Sequence, residues 1–307
     1  MPELPEVETT KASLKPLIGQ KTTNIEVFQP KLRWPMPADL PDLVGYSLHS
    51  IRRRAKYLIL EFVATKAALQ SIENTNDKPC IPQKQLIIHL GMSGSLQQYP
   101  IGAEKRKHDH LVMTFMATDG QCVQLHYHDP RRFGAVLWYE EYKGKLLNHL
   151  GPEPLSNQFT ADYLYHLIQR TTDSVTQDKK SKKRPIVRPI KSIIMEQQVV
   201  VGVGNIYATE SLYLSGIHPA TPANQIPYTQ IQVLVEHIKA ILQKAIDLGG
   251  STLRDFTVAS GQTGYFQQTL NVYGRQGEAC PHCATTLDNI KLNGRASVYC
   301  PSCQPSI

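Results

Sequence analysis

Four cysteines near the C-terminus carry the strongest chemical signal in this chain. In CPHCATTLDNIKLNGRASVYCPSC, Cys280 and Cys283 form one C-x2-C pair and Cys300 and Cys303 a second, with sixteen residues between them. Two such pairs across a short hairpin suit a closed tetrahedral site for one Zn2+. Four thiolates leave no open coordination position, so the metal is expected to be structural. It would organise a stretch too poor in apolar side chains to fold alone. Two disulfides are the competing reading. They need an oxidising compartment, and the N-terminus lacks the apolar segment of a secretory signal.

Three further stretches have residue types suited to an anionic partner. In VVVGVGNIYATESL (199–212), Gly202 and Gly204 permit close backbone approach before a helix. Asn205 there is either part of an anion site or a plain N-cap; the missing third glycine and βαβ unit exclude a Rossmann loop. In HDPRRFGAV (128–136), Arg131, Arg132 and Phe133 put guanidinium groups beside an aromatic ring, a combination that can stack on or wedge between bases. In HLGMSGSL (89–96), Met92 lies in a glycine-bounded loop and is read on its own as core. On the cysteine hairpin, Lys291 and Arg295 are equally compatible with solvated charge and with phosphate contact. The N-terminus is also unusual. Pro2 is followed by Glu3, Glu6 and Glu8, although an ordinary terminus frays and its residues matter little.

The elements that must position these groups follow from pattern. A first helix is expected from Pro5 to about Leu17, with Glu6 and Glu8 at its positive end and Val7, Leu14 and Ile18 on one face. KYLILEFV, KQLIIHLGMSGSLQQY, HLVMTFMA, CVQLHYHD and AVLWYEEY read as short strands, which suggests an antiparallel sandwich or barrel. Residues 64–85 read as a polar surface insertion. After LGPEPL (150–155) the pattern turns helical: TADYLYHLIQRT, PIKSIIMEQQVVV, ATESLYLSG and YTQIQVLVEHIKAILQKAIDLGG. In the last of these, Ile231, Leu234, Val235, Ile238, Leu242 and Ala245 recur at helical spacing and Gly249–Gly250 end it.

Composition bounds the rest. The chain of 307 residues is 41% hydrophobic with a net charge of +7, enough for two domains and weakly suggestive of a polyanion partner. Seven Lys or Arg and no acid lie between Lys179 and Met195, readable as a solvated linker or as a contact surface. No apolar run is long enough to span a membrane, and the default address is the cytoplasm. Cys80 and Cys122 stand apart from the four and read as small hydrophobes or incidental thiols.

Taken in order, MPELPEVET, RRRAKYLIL, HLGMSGSL, DPRRFGAVLW, VVVGVGNIYATESL, GYFQQTLNVYGRQGEAC and the four-cysteine hairpin resemble the bacterial formamidopyrimidine-DNA glycosylases (Fpg/MutM, within the Fpg/Nei family) over nearly the whole chain. The resemblance implies an α+β protein. Residues 1–150 would form an N-terminal antiparallel β-sandwich with flanking helices. Residues 151–270 would form a helical domain with a helix–two-turns–helix element, and residues 271–307 a zinc-finger β-hairpin. It implies a monomeric bacterial enzyme, cytoplasmic and nucleoid-associated, acting on double-stranded DNA that contains oxidised bases or abasic sites. The activity implied is removal of oxidised purines (8-oxoguanine and formamidopyrimidines) with lyase cleavage of the strand by β,δ-elimination.

Roles follow residue by residue from the same resemblance. Pro2, exposed by removal of Met1, would be the nucleophile that forms a Schiff base. Its α-amino group titrates near about 8, far below lysine, so a useful unprotonated fraction exists at neutral pH. Glu3 would be the proton donor, Glu6 a positioning group, Lys56 the proton donor for β-elimination and Arg295 that for δ-elimination. Met92, Arg131 and Phe133 would fill the gap left by the everted base. Arg131 would face the orphaned base and Phe133 would wedge the stack. His89, Lys191 and Asn205 would also contact DNA, Asn205 with Arg295 as a phosphate clamp. Residues 259–268 would close over the lesion. Glu196 departs from the family's usual Asp, a conservative change, and the 64–85 and 171–185 stretches exceed the usual lengths. An endonuclease VIII-like enzyme for oxidised pyrimidines and a non-catalytic zinc-ribbon DNA binder are the alternatives. Leu4 with DPRRFG and the GYFQQ loop favours the purine branch, and an intact Pro2–Glu3 with Lys56 favours an enzyme.

Overall fold

The computed structural model describes residues 2–65, 82–171, 184–250 and 269–306. The core of 64–85, most of 171–185 and all of 259–268 therefore lie outside the described residues. The described residues up to Asn148, with 248–250, form one compact unit; His149–Asp247 and 269–306 form the other.

The first unit opens with helix α1 (Leu4–Ser13), which Pro5 can enter because its missing N–H falls in the first turn. The helix stops at Ser13 and a 3-10 turn covers Lys15–Leu17. Val7 and Leu14 are buried as their spacing predicts, but Ile18 is 44% exposed because it lies beyond the helix and off its face. Eight strands follow: β1 (Lys21–Val27), β2 (Tyr46–Arg54), β3 (Tyr57–Ala64), β4 (Gln83–His89), β5 (Ser95–Pro100), β6 (Asp109–Met116), β7 (Cys122–His128) and β8 (Ala135–Trp138). Their order is β5-β7-β6-β1-β2-β3-β4-β8, and every ladder is antiparallel.

The sheet is narrowest at its middle, where β1 meets β2 at the single register pair Lys21↔Ser47. Bulges interrupt β1 between Thr22 and Asn24 and β2 between Leu48 and Ser50. Such bulges bend strands sharply. The sheet folds about this line into a sandwich of two four-stranded halves, as the strand pattern predicts. One core holds Leu111, Met113, Phe115 and Leu125 from one half with Leu58, Leu60, Phe62, Leu86, Ile88 and Val136 from the other. The side-chain period of two sends the intervening Ile59, Ile87, Ala135 and Leu137 outward. Helix α2 (Tyr139–Leu147) covers that outer face with Tyr139, Tyr142, Leu146 and Leu147. The sequence AVLWYEEY thus divides: strand ends at Trp138, and Glu140 and Glu141 occupy the first turn of a helix, where acids are favourable.

The second unit contains α3 (Ala161–Gln169), capped by the Thr160 side chain, then α4 (Ile190–Ile194), α5 (Asn205–Leu214) and α6 (Tyr228–Asp247). All six periodic apolar positions of α6 are buried, and Gly249 and Gly250 follow it with φ of +78° and +83°. PIKSIIMEQQVVV is helical only over Ile190–Ile194. Glu196, the departure from the family pattern, pairs with both terminal nitrogens of Arg188. The hairpin β9 (Asp288–Leu292) and β10 (Arg295–Tyr299) completes the unit. No helix among the described residues is long and apolar enough to cross a membrane.

Candidate active site and nucleic-acid interface

At the N-terminus, two acids organise the chain. Glu3 is the N-cap of α1, and its side chain receives the Glu6 backbone N–H while Glu6 Oε2 accepts the Glu3 N–H at 2.8 Å. This reciprocal pairing satisfies two donors that a helix start otherwise leaves open. Pro2 is buried, Glu3 is 4% exposed and Glu6 2%. Gly250 closes against the same place. Its φ of +83° favours glycine, and a Cβ there would lie a tight 3.3 Å from Glu6 Oε1.

Lys56 lies in the β2–β3 turn, one residue after Ala55, which is buried and holds φ of +53°. Arg53 fixes that turn. Its Nε lies 2.6 Å from Glu8 Oε2 and one terminal nitrogen donates to the Ala55 carbonyl at 2.9 Å. Helix α1 and the Lys56 turn are therefore linked through Glu8. Burial would raise the Glu8 carboxyl, but Lys11 and Arg53 outweigh it and hold the group below its usual range. Glu8 is thus a structural tie as well as a helix-start acid.

His89, at the end of β4, is half-buried. Burial, with the nearby positive charges of Lys56 and Arg33, pushes its imidazole down to about 4. Its Nδ1 accepts the Gly91 N–H at 3.0 Å and its ring packs on Tyr57. At neutral pH it is an uncharged ring that supports the Met92 loop. Met92 is 36% exposed and Phe133 46%, and the Arg131 guanidinium lies 5.1 Å from the Phe133 ring centroid. Met92 is thus not core, contrary to its reading in isolation. A loop tip held out by tight backbone contacts explains it.

In the second unit, the Sγ atoms of Cys280, Cys283, Cys300 and Cys303 all lie within 4.8 Å of one another. The Sγ separations are 3.9 Å for Cys280–Cys303, 3.4 Å for Cys283–Cys300 and 3.5 Å for Cys283–Cys303. Disulfide sulfurs sit about 2 Å apart. A tetrahedron with Zn–S of about 2.3 Å has edges near about 3.8 Å. The donor set therefore fits one zinc ion. Thr285 beside Cys283 lowers that thiol to about 6, and Tyr213 Oη lies 3.3 Å from Cys280 Sγ.

Side chains on the helices fasten the hairpin and the segment that leads into it, and the Asn293 side-chain amide donates to Ser192 Oγ at 3.0 Å. Lys191 is 1% exposed, and its Nζ donates to the Ala296 carbonyl at 3.0 Å and to Ser297 Oγ at 2.8 Å. The ammonium expected to contact the DNA backbone thus directs two of its donors at the hairpin. Asn205 is the first residue inside α5, with Gly204 as N-cap, so it is not the cap; its Nδ2 donates to the same Ala296 carbonyl at 3.2 Å. Arg295, next in sequence to that carbonyl, is exposed. A fastening of the segment before the hairpin is one that motif reading missed. Glu210 is fully buried on α5 and accepts from the Asn271, Val272 and Tyr273 backbone N–H groups and from Asn271 Nδ2, at 2.8–2.9 Å. Its signal was a lone carboxylate in the otherwise uncharged helix NIYATESLYL.

Comparison with known proteins matches these parts in order. Residues 1–136 match the model of the formamidopyrimidine-DNA glycosylase N-terminal domain, residues 150–257 that of its H2TH domain, and residues 277–305 that of a zinc finger found in FPG and IleRS. A formamidopyrimidine-DNA glycosylase of Psychrobacter arcticus is 71% identical over 309 residues, spanning 100% of this chain and 99% of the relative. A point mutant of Lactococcus lactis FPG, solved with DNA containing Fapy-dG, is 34% identical with a TM-score of 0.79 and covers 99% of this chain and 100% of its own. The Lactococcus lactis Fpg complex with abasic-site DNA is 35% identical with a TM-score of 0.78, over 99% and 100% of the two chains.

Proposed function

The chain belongs to the formamidopyrimidine-DNA glycosylase family, and from that premise we propose that Pro2, Glu3 and Lys56 carry its chemistry. The protein is a base-excision DNA glycosylase for oxidised purines in double-stranded DNA, with the family's lyase activity and one structural zinc. Once Met1 is removed, the Pro2 nitrogen is a secondary amine. It attacks C1′ of the damaged nucleoside as the base departs and gives up its proton; the C1′–O4′ bond then breaks and the nitrogen–carbon bond becomes an iminium. Glu3 supplies the proton that the opened sugar needs. The iminium makes the C2′ proton acidic; its loss expels the 3′ phosphate, and a second elimination expels the 5′ phosphate. Lys56 serves the first elimination and Arg295 the second. Cys280, Cys283, Cys300 and Cys303 hold the zinc, which supplies shape rather than reactivity to the hairpin that carries Arg295.

One observation supports this reading above the others. Glu3 and Glu6 are buried and paired at the very start of the chain. Burial of carboxyl groups is costly and has no place at an idle terminus. Holding the first residues rigid pre-organises an amine for attack. Met92, Arg131 and Phe133 fill the gap behind the everted base, and Asn205 with Arg295 holds the bent backbone. A protein with this reaction works on the chromosome, in the cytoplasm and in association with the nucleoid.

The test is borohydride trapping on a duplex with 8-oxoguanine opposite cytosine, on protein whose mass shows loss of Met1. A covalent adduct is expected, and Pro2→Gly should abolish it while DNA binding persists. Trapping that survives in Pro2→Gly would remove Pro2 from the role.

A further inference from the structure

The loop of Met92 and the loop of Arg131 and Phe133 are separate in sequence, yet they are built as one object. Asp129 joins them. It is fully buried, its Oδ1 accepts the Ser93 hydroxyl at 2.9 Å and its Oδ2 accepts the Gly134 N–H at 2.8 Å. One carboxylate thus holds the residue after Met92 and the residue after Phe133. Its own backbone is equally fixed. The Asp129 N–H donates to the His108 carbonyl at 3.0 Å, and its carbonyl receives the Arg132 N–H at 3.2 Å. His110 Nε2 lies 2.7 Å from that same carbonyl. Asp129-Pro130 fills the first two positions of a tight turn that ends at Arg132, whose φ is +57°.

The contact between the loops is close because it is made by glycines. A Cβ on Gly91 would lie 2.5 Å from the Phe133 carbonyl carbon and from the Gly134 nitrogen. A Cβ on Gly134 would lie 1.7 Å from the Tyr127 hydroxyl, which donates to the His89 carbonyl at 3.1 Å. The exposed tips of Met92, Arg131 and Phe133 therefore project from a base with little room to shear.

We propose that Asp129 is the positioning residue that makes these two loops a single probe, so that the wedge and the reader of the opposite base enter the duplex together. The proposal rests on the reading of Met92, Arg131 and Phe133 given above. Its content is the coupling: loosening the base of one loop degrades what the other does. Asp129 touches no DNA in this account. It sets the spacing of three residues that do, and spacing errors of about 1 Å can cost on the order of a hundredfold in rate.

The test compares Asp129→Ala, Asp129→Asn and Ser93→Ala with Arg131→Ala. Two ratios are read: excision of 8-oxoguanine opposite cytosine over that opposite adenine, and duplex excision over borohydride trapping on a single-stranded abasic oligonucleotide, which needs no gap filling. Asp129→Ala strands the Ser93 hydroxyl and the Gly134 N–H, and both ratios should fall about tenfold, the scale of a lost hydrogen bond to a buried charge. Asp129→Asn can still accept from Gly134 and donate to Ser93, so it should restore both ratios to within about threefold of wild type. Ser93→Ala removes one arm only and should lower the second ratio by roughly threefold. Folded Asp129→Ala with wild-type ratios, alongside a fall in Arg131→Ala, would overturn the brace and leave the reader intact. An unaltered opposite-base ratio in Arg131→Ala would instead sink the reading beneath it. Should Asp129→Ala not fold, Ser93→Ala decides, and an unmoved second ratio overturns the proposal.

Discussion

Replacing Glu210 with Gln tests what holds the zinc hairpin in register. The carboxylate accepts four hydrogen bonds. Oε1 takes the Val272 and Tyr273 N–H groups at 2.9 and 2.8 Å, and Oε2 takes the Asn271 N–H and side-chain amide, both at 2.9 Å. An amide of the same shape keeps one oxygen and turns an NH2 toward the other two donors. Two donors then face a third. At roughly 1–3 kcal/mol for each stranded group, the cost is about 2–6 kcal/mol. An uncharged amide is easier to bury than a carboxylate, which offsets part of it and leaves about 3 kcal/mol. The loss should fall on the second unit, because Val272 packs with Cys280, Leu287, Val298 and Cys300 directly beneath the hairpin. Urea unfolding followed through zinc release should shift by that amount, and affinity for an abasic-analogue duplex should fall with it. Stability within about 0.5 kcal/mol of wild type, the range of an ordinary surface substitution, would refute the assignment of Glu210 as the anchor.

Other outcomes are equally open to measurement. Cys300→Ser should release zinc and abolish tight DNA binding, read by metal analysis and a gel-shift titration, because three thiolates no longer close the tetrahedron. Lys191→Met should weaken DNA binding without changing its dependence on salt, since the ammonium is turned to Ala296 and Ser297; a direct phosphate contact would instead lower the slope by about 0.9. His89 has a folded value of about 4, against about 6.5 when unfolded. The unfolded chain therefore binds more protons between those values, and stability must fall as pH drops from 6.5 to 4, by up to about 3 kcal/mol. His89→Gln should flatten that part of the unfolding-versus-pH curve, and an unchanged curve would show that the imidazole is charged in the folded state.

Local pattern was enough for some of this molecule. The cysteine spacing brings four sulfurs to one point because a short hairpin can close in few ways. The apolar period of α6 marks its buried face because helical geometry repeats within a single segment. Motif resemblance alone names Pro2, Glu3 and Lys56 as a set, and β-branched and aromatic content marks β3, β4 and β8 as strands. Where pattern was short, it misled: YEEY looked like strand continuing from AVLW, and the outer face of the sandwich made it helix.

The remaining features exist only in three dimensions. Asn205 looks like a cap beside two glycines, yet Gly204 is the cap and the amide turns to Ala296. Nothing in RPIKSIIM announces that Lys191 will lie buried against residues more than a hundred positions away. Nothing in HLGMSGSL announces that Ser93 will meet Asp129, 36 residues on. Hydrogen bonds of this kind depend on strand register and on the bulges that bend the sheet. A shift of one residue would turn each partner to the other face. Chain spacing decides which groups can converge within a hairpin or a helix, whereas the folded sheet decides which distant groups are left facing one another.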